Sequence, residues 1–148
     1  MTVEGLPGGV LFACTMNAAR SPMAEGIMKH LFGGHVYIDS AGVRAAEVDA
    51  FAVTVMAEIG IDLSRHNSKS FDELSDTSFD LVISLSPEAQ HSAVEMTRTM
   101  SCEVEFWPTM DATAVHGSRE RRLDAFRQVR DFLYQRIGGR FKAAPGTP

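Results

Sequence analysis

Four short apolar runs, each followed by a stretch with helical periodicity, leave this chain few folds to choose from. The runs are Gly9-Val10-Leu11-Phe12-Ala13-Cys14, a weakly alternating His35 to Ser40, Phe79 to Leu85, and Glu103 to Trp107. The last reads as a half-exposed edge strand. Between them, Ser21-Pro22 opens a helix that Gly33-Gly34 closes, with Met23, Ile27 and Leu31 sharing a face. Asp49 fits the N-cap of a second helix reaching Ile59, stopped by Gly60. A third begins at Pro87 and fades near Met100, and a shorter one is expected between Phe71 and Asp76. In the last helix Leu123, Phe126, Val129, Leu133 and Ile137 recur at three and four, and Gly138-Gly139 is expected to end it. Strands alternating with helices require right-handed crossovers and a parallel sheet. The expectation is a single α/β domain over 1–148, with a four-stranded parallel sheet, helices on both faces and a disordered tail at 143–148.

Size and composition agree with that reading. The chain has 148 residues, enough for one core, and its 45% hydrophobic and 22% charged residues are ordinary for a globular domain. A net charge of -5 argues against nucleic acid or an anionic membrane as the main partner. No apolar run approaches the roughly 18 residues of a membrane span. Met1 to Gly9 carries no basic stretch of the kind that opens a signal peptide. Two cysteines, Cys14 and Cys102, are too few for a disulfide scaffold, so a cytoplasmic setting is expected. His30, His35, His91 and His116 show no metal-ligand spacing and Cys102 has no paired ligand, so neither metal nor cofactor is expected.

The chemistry concentrates in Cys14-Thr15-Met16-Asn17-Ala18-Ala19-Arg20-Ser21, where a cysteine and an arginine stand five residues apart between the first strand and the first helix. Ligands of open α/β sheets bind at the carboxyl ends of strands. A helix N-terminus there offers unpaired N–H groups and a positive dipole end. The intervening residues, Thr15, Met16, Asn17, Ala18 and Ala19, can curl so that successive N–H groups face the oxygens of a phosphate. Arg20 adds a planar fork that pairs two oxygens at once. The same positive potential favours the thiolate of Cys14, and Ser21 can donate a hydrogen bond to it. Asn17 tolerates a left-handed backbone and can bond across the loop. Asp111 follows the fourth strand, at the same edge as Cys14, and is placed to act as general acid and then base.

Val10 to Leu31, reading VLFACTMNAARSPMAEGIMKHL, resembles the opening of the low-molecular-weight protein tyrosine phosphatases and of the related arsenate reductases. The resemblance continues through Asp39-Ser40-Ala41-Gly42, Gly60-Ile61-Asp62-Leu63 with His66, the Phe79 run and Asp111. It implies a sheet order of 2-1-3-4. It also implies Cys14 as nucleophile, Arg20 as phosphate clamp, Asp111 as general acid, and Ser40 and His66 as supports that hold Asn17. Several residues depart from the family pattern. Met16 stands where glycine is common, Ala19 where many relatives carry a second cysteine, and Ala112 where Asp-Pro is usual. Thr113 and Ala114 replace the aromatic residues that grip phosphotyrosine in eukaryotic relatives.

Three functions follow from these residues. The first is a cysteine-dependent phosphomonoester hydrolase of the protein tyrosine phosphatase type, acting through a phosphocysteine on a phosphorylated protein or a small phosphate ester. Inorganic phosphate and other oxyanions would be its ligands. The second is arsenate reduction on the same scaffold. Ser86 stands where a relay thiol is expected, and Cys102 lies at the far edge of the sheet, so such a reductase needs an external small thiol. The third is a catalytically weak phosphate-binding module, which the Met16 and Ala112 departures motivate.

Overall fold

A computed structural model describes residues 6–74 and 78–142. Strands β1 (Gly9–Cys14), β2 (Tyr37–Gly42), β3 (Leu81–Ser84) and β4 (Glu103–Phe106) form one parallel sheet in the order β2-β1-β3-β4. The helices are α1 (Arg20–Phe32), α2 (Ala50–Ala57), α3 (Pro87–Met96) and α4 (Arg119–Arg140). This is the expected single α/β domain and the expected strand order. β1 sits in the middle and is buried along its whole length, which is why it reads as an unbroken apolar run.

Alternation along β1 divides the core. Val10, Phe12 and Cys14 face the layer built from α1, α2 and α4. Leu11 faces the opposite layer, with Phe79, Val82 and Ala93 of α3. The pairings Cys14↔Gly42, Ala13↔Ser84 and Ser84↔Phe106 bring the carboxyl ends of all four strands to one edge. The loops at 15–19, 43–49, 85–86 and 107–118 therefore meet there. No helix among the described residues is long and apolar enough to cross a membrane.

The ends of β3, α2 and α3 fall short of the expected ones by up to four residues, and three further boundaries differ from the sequence expectation. β2 begins at Tyr37 rather than His35, because the His35 N–H still closes a turn onto Phe32 O and Tyr37 is the residue that bonds Gly8 O. The short helix expected between Phe71 and Asp76 is a single 3-10 turn over Phe71–Glu73, after which Leu74 is extended; residues 75 and 76, like the tail at 143–148, fall outside the described residues. The third is the end of α4. Gly138 and Gly139 do not stop it: the helix runs through them to Arg140. Tertiary contacts carry it on. Phe141 is 1% exposed, packs edge-on against Phe32 and donates its N–H to Ile137 O. Arg140 bonds Glu105 of β4 through two nitrogens at 2.9 and 2.7 Å. Farther along, Arg127 and Arg130 clasp Glu58 at the end of α2 and hold its carboxyl down to about 2.

Because both glycines lie inside a helix with open space where a Cβ would go, alanine fits at either. Gly138→Ala and Gly139→Ala should each raise the unfolding free energy by about 0.5–1 kcal/mol in urea melts. A loss of stability would mean that the helix does end at these glycines.

Candidate active site

The loop between β1 and α1 is held from outside by its own carbonyls. Cys14 O accepts from Val43 N, Thr15 O from Arg44 N, Met16 O from Ala46 N and Ala18 O from Asp49 N, at 2.8–3.1 Å. Asn17 O accepts from the Ser68 hydroxyl at 2.8 Å, and Ala19 O from Met23 N. With every carbonyl from Cys14 to Ala18 tied outward and that of Ala19 taken up by the first turn of α1, the peptide N–H groups turn inward. Those of Thr15 to Ala19 donate to no described group. The result is a concave array of donors above Cys14 at the start of α1, the geometry that receives an oxyanion.

The segment 42–49 that supplies most of these clamps needs Gly42 at its start. A Cβ there would lie 2.4 Å from Arg44 O and 2.7 Å from Asn17 N. Sequence reasoning did not find this clamp, because backbone N–H groups do the holding and any residue carries one.

A line of side chains runs behind the loop, and its hydrogen-bond polarity can be worked out. Asn17 is the one non-glycine described residue with positive φ, at 53°. Its amide is 0% exposed and fully used. Nδ2 donates to Ser21 Oγ at 2.8 Å and to Ser40 Oγ at 2.9 Å. Oδ1 accepts from Lys69 N at 2.9 Å and from His66 Nε2 at 3.1 Å. An amide oxygen only accepts, so neutral His66 carries its proton on Nε2. Ser21 Oγ accepts from Asn17 and lies 2.9 Å from Cys14 Sγ, to which it donates when the sulfur is a thiolate, since a thiolate can only accept. Ser40 Oγ accepts from Asn17 likewise and donates to Glu25 Oε1 at 2.5 Å.

Glu25 was missed in the sequence. It is 8% exposed, bonds Lys29 Nζ at 2.6 Å and lies 3.7 Å from His66 Nδ1. The signal was there: Ser21 and Glu25 stand four apart, hence on one helix face, and a buried carboxylate is rarely idle.

In front of the loop, a cleft of about 290 Å³ is lined by Cys14, Thr15, Met16, Ala18, Ala19 and Arg20, with Asp111 and Thr113 across from them and Ala46, Glu47 and Asp49 at the side. Arg20 is anchored by Nη1 donating to Thr109 O at 3.1 Å, and its Nη2 lies 4.0 Å from Asp111 Oδ2. Asp111 caps the 3-10 turn Ala112–Ala114: its Oδ1 accepts from Thr113 N at 3.0 Å and Thr113 Oγ1 at 2.6 Å. Ala112 is 3% exposed, so the loop that lacks the usual proline is fixed by burial and by this cap. Thr15 Oγ1 donates to Ser86 Oγ at 3.0 Å, and Ser86 in turn caps α3. Met16 is 38% exposed at the cleft wall. Thus the structure gathers Cys14, Asn17, Arg20, Ser21, Ser40, His66 and Asp111 around one loop. Among the described residues, no group of three or more His, Cys, Asp or Glu could hold a metal ion.

Burial pushes the His66 imidazolium below the ordinary value of 6.5, with the nearby Glu25 carboxylate opposing part of that shift. A lowered histidine binds fewer protons folded than unfolded, so stability rises with pH through the window below 6.5 and is lost as the pH falls through it. Urea midpoints should therefore drop as pH is lowered from about 7 to about 5, and His66→Gln should flatten that slope. An unchanged slope in the variant would exclude His66 as its source.

The family model for low molecular weight phosphotyrosine protein phosphatases matches residues 9–143. An arsenate reductase of Halalkalibacterium halodurans is 37% identical over 129 residues, covering 86% of this chain and 91% of that one. Among solved structures, the low molecular weight protein tyrosine phosphatase from T. tengcongensis superposes with a TM-score of 0.72 at 29% identity, over 87% of this chain and 94% of the other. The YwlE arginine phosphatase, in a mutant with a phosphorylated active site serine, superposes with a TM-score of 0.69 at 26% identity, over 87% and 90%.

Proposed function

The chain belongs to the low molecular weight phosphotyrosine protein phosphatase family, and from that premise we propose that it is a cysteine-dependent phosphomonoester hydrolase. The reading rests above all on one observation: the carbonyls of Cys14 to Ala18 are all tied outward, so the loop is held open as a donor array over the thiol before any substrate arrives. Such preorganisation is what stabilises a developing negative charge without reorganisation cost.

In the proposed reaction Cys14 thiolate attacks phosphorus in line. The S–P bond forms as the ester P–O bond breaks, and Asp111, entering protonated, gives its proton to the departing oxygen. Arg20 and the loop N–H groups hold the three equatorial oxygens throughout. Water then attacks the phosphocysteine while Asp111 takes back a proton. The S–P bond breaks, phosphate leaves, and the Ser21 hydroxyl stabilises Cys14 as departing thiolate. Asn17, Ser40 and His66 support the loop without touching substrate. The protein can run this cycle without a metal or an organic cofactor. The substrate is a phosphorylated protein or small ester, handled in the cytoplasm.

Arsenate reduction is the second reading, favoured by the arsenate reductase relative. An internal disulfide relay does not suit this chain. Cys102 immediately precedes β4, whose first residue aligns with Leu81 and Val10, at the sheet edge opposite Cys14. Five strand residues separate the two edges by about 16 Å, far beyond disulfide reach. Only a reductase using an external thiol fits.

An aryl phosphate assay in the presence of a chelator separates these readings. Wild type should turn over, Cys14→Ser should be inactive, and Asp111→Asn should lose about 10²- to 10³-fold, more with a poor leaving group than a good one. Thiol-dependent arsenite formation without hydrolysis would favour the reductase. Silence in both, with phosphate still bound, would leave a binding module.

A further inference from the structure

Beyond the loop, the cleft has an uneven charge. Its lining holds three carboxylates, Glu47, Asp49 and Asp111, against one cation, Arg20. Two of the three are engaged: Asp49 accepts from Phe51 N at 2.8 Å as the cap of α2, and Asp111 is bonded by Thr113. Glu47 is exposed, and among the described residues it makes no hydrogen bond or ion pair. Its backbone is nonetheless fixed, because Ala46 N and Asp49 N on either side are bonded to Met16 O and Ala18 O of the loop. The side chain therefore springs from a fixed point beside the Cys14 cleft, which it helps to line.

Nearby cations do not balance it. Arg44 is drawn off to Glu88 by two bonds, at 3.0 and 3.2 Å. Arg119 and Arg122 lie over the Phe51 ring. Arg20 and the loop donors answer the charge of a bound phosphoryl group, so the negative charge at the rim remains. Among the described residues no aromatic ring lines the cleft, so none of them offers a leaving group a stacking surface there.

We propose that Glu47 is a specificity-determining residue, which makes the cleft prefer phosphorylated peptides carrying a lysine or arginine next to the phosphorylated residue. The proposal rests on the hydrolase reading above. A free carboxylate at the rim attracts a neighbouring cation and repels a neighbouring acid, and that contrast acts on encounter and on binding alike.

The test uses the full chain and three phosphotyrosine peptides that differ at one flanking position: lysine, glutamine or glutamate. At low salt, kcat/KM should fall in that order, with lysine over glutamine by about 1.5- to fivefold, as expected of an exposed pair. Raising the ionic strength should shrink the spread. Glu47→Gln should bring the lysine-to-glutamine ratio close to one, and Glu47→Lys should reverse it. Equal kcat/KM for the three peptides, or the same ratio in wild type and Glu47→Gln, overturns the proposal while leaving the hydrolase reading standing. Absence of turnover with all three and with a simple aryl phosphate overturns the hydrolase reading, and this proposal with it.

Discussion

One buried amide governs the site. Asn17 adopts a left-handed backbone that most side chains resist, and its two amide atoms make four hydrogen bonds, to Ser21, Ser40, His66 and the Lys69 N–H. An unsatisfied buried polar group costs about 1–3 kcal/mol, so losing this one amide would orphan several partners together. The constraint also has a direction. Asn17 donates to Ser21, whose own hydrogen stays free for a Cys14 thiolate, and it donates to Ser40, whose hydrogen goes to Glu25. The amide thus holds the shape of the loop and keeps the Ser21 hydroxyl beside the sulfur.

The sheet supplies the parts that the amide joins. Parallel pairing puts Cys14 opposite Gly42, so the segment after β2 begins beside the loop and its N–H groups fall onto the loop carbonyls. Ser40 lies on the same strand, two residues earlier, where it meets Asn17 from below. α1 brings Ser21 and Glu25 on one face, one to the sulfur and the other to Ser40. The outer face of the loop is thereby saturated with bonds, and the inner face keeps its donors for a ligand.

What could be read in the sequence depended on the range of the forces involved. β1, α1 and the Cys14-to-Ser21 loop were legible because their signals are local: an apolar run, a proline in the first turn, a fixed spacing. Asp111 was legible from its place after the fourth strand. Ser40 and His66 could be tied to Asn17 only through family resemblance, since 23 and 49 residues separate them from it. The 42–49 clamp left no side-chain trace. The end of α4 was misread for a related reason: a glycine pair is a local stop signal, but the buried Phe141 and the Arg140–Glu105 bonds act across the fold and override it. Glu25 was overlooked, although its spacing from Ser21 pointed to it.

In the proposed reaction the loop presents Cys14 as a nucleophile to phosphorus. The most direct measurement is rapid acid quenching during turnover of an aryl phosphate, followed by mass analysis of the peptide that contains Cys14. A phosphoryl group is expected on that peptide, appearing during turnover and absent when Cys14 is alkylated beforehand. Hydrolysis that proceeds with no phosphoryl group on Cys14, or with one on another residue, would contradict it.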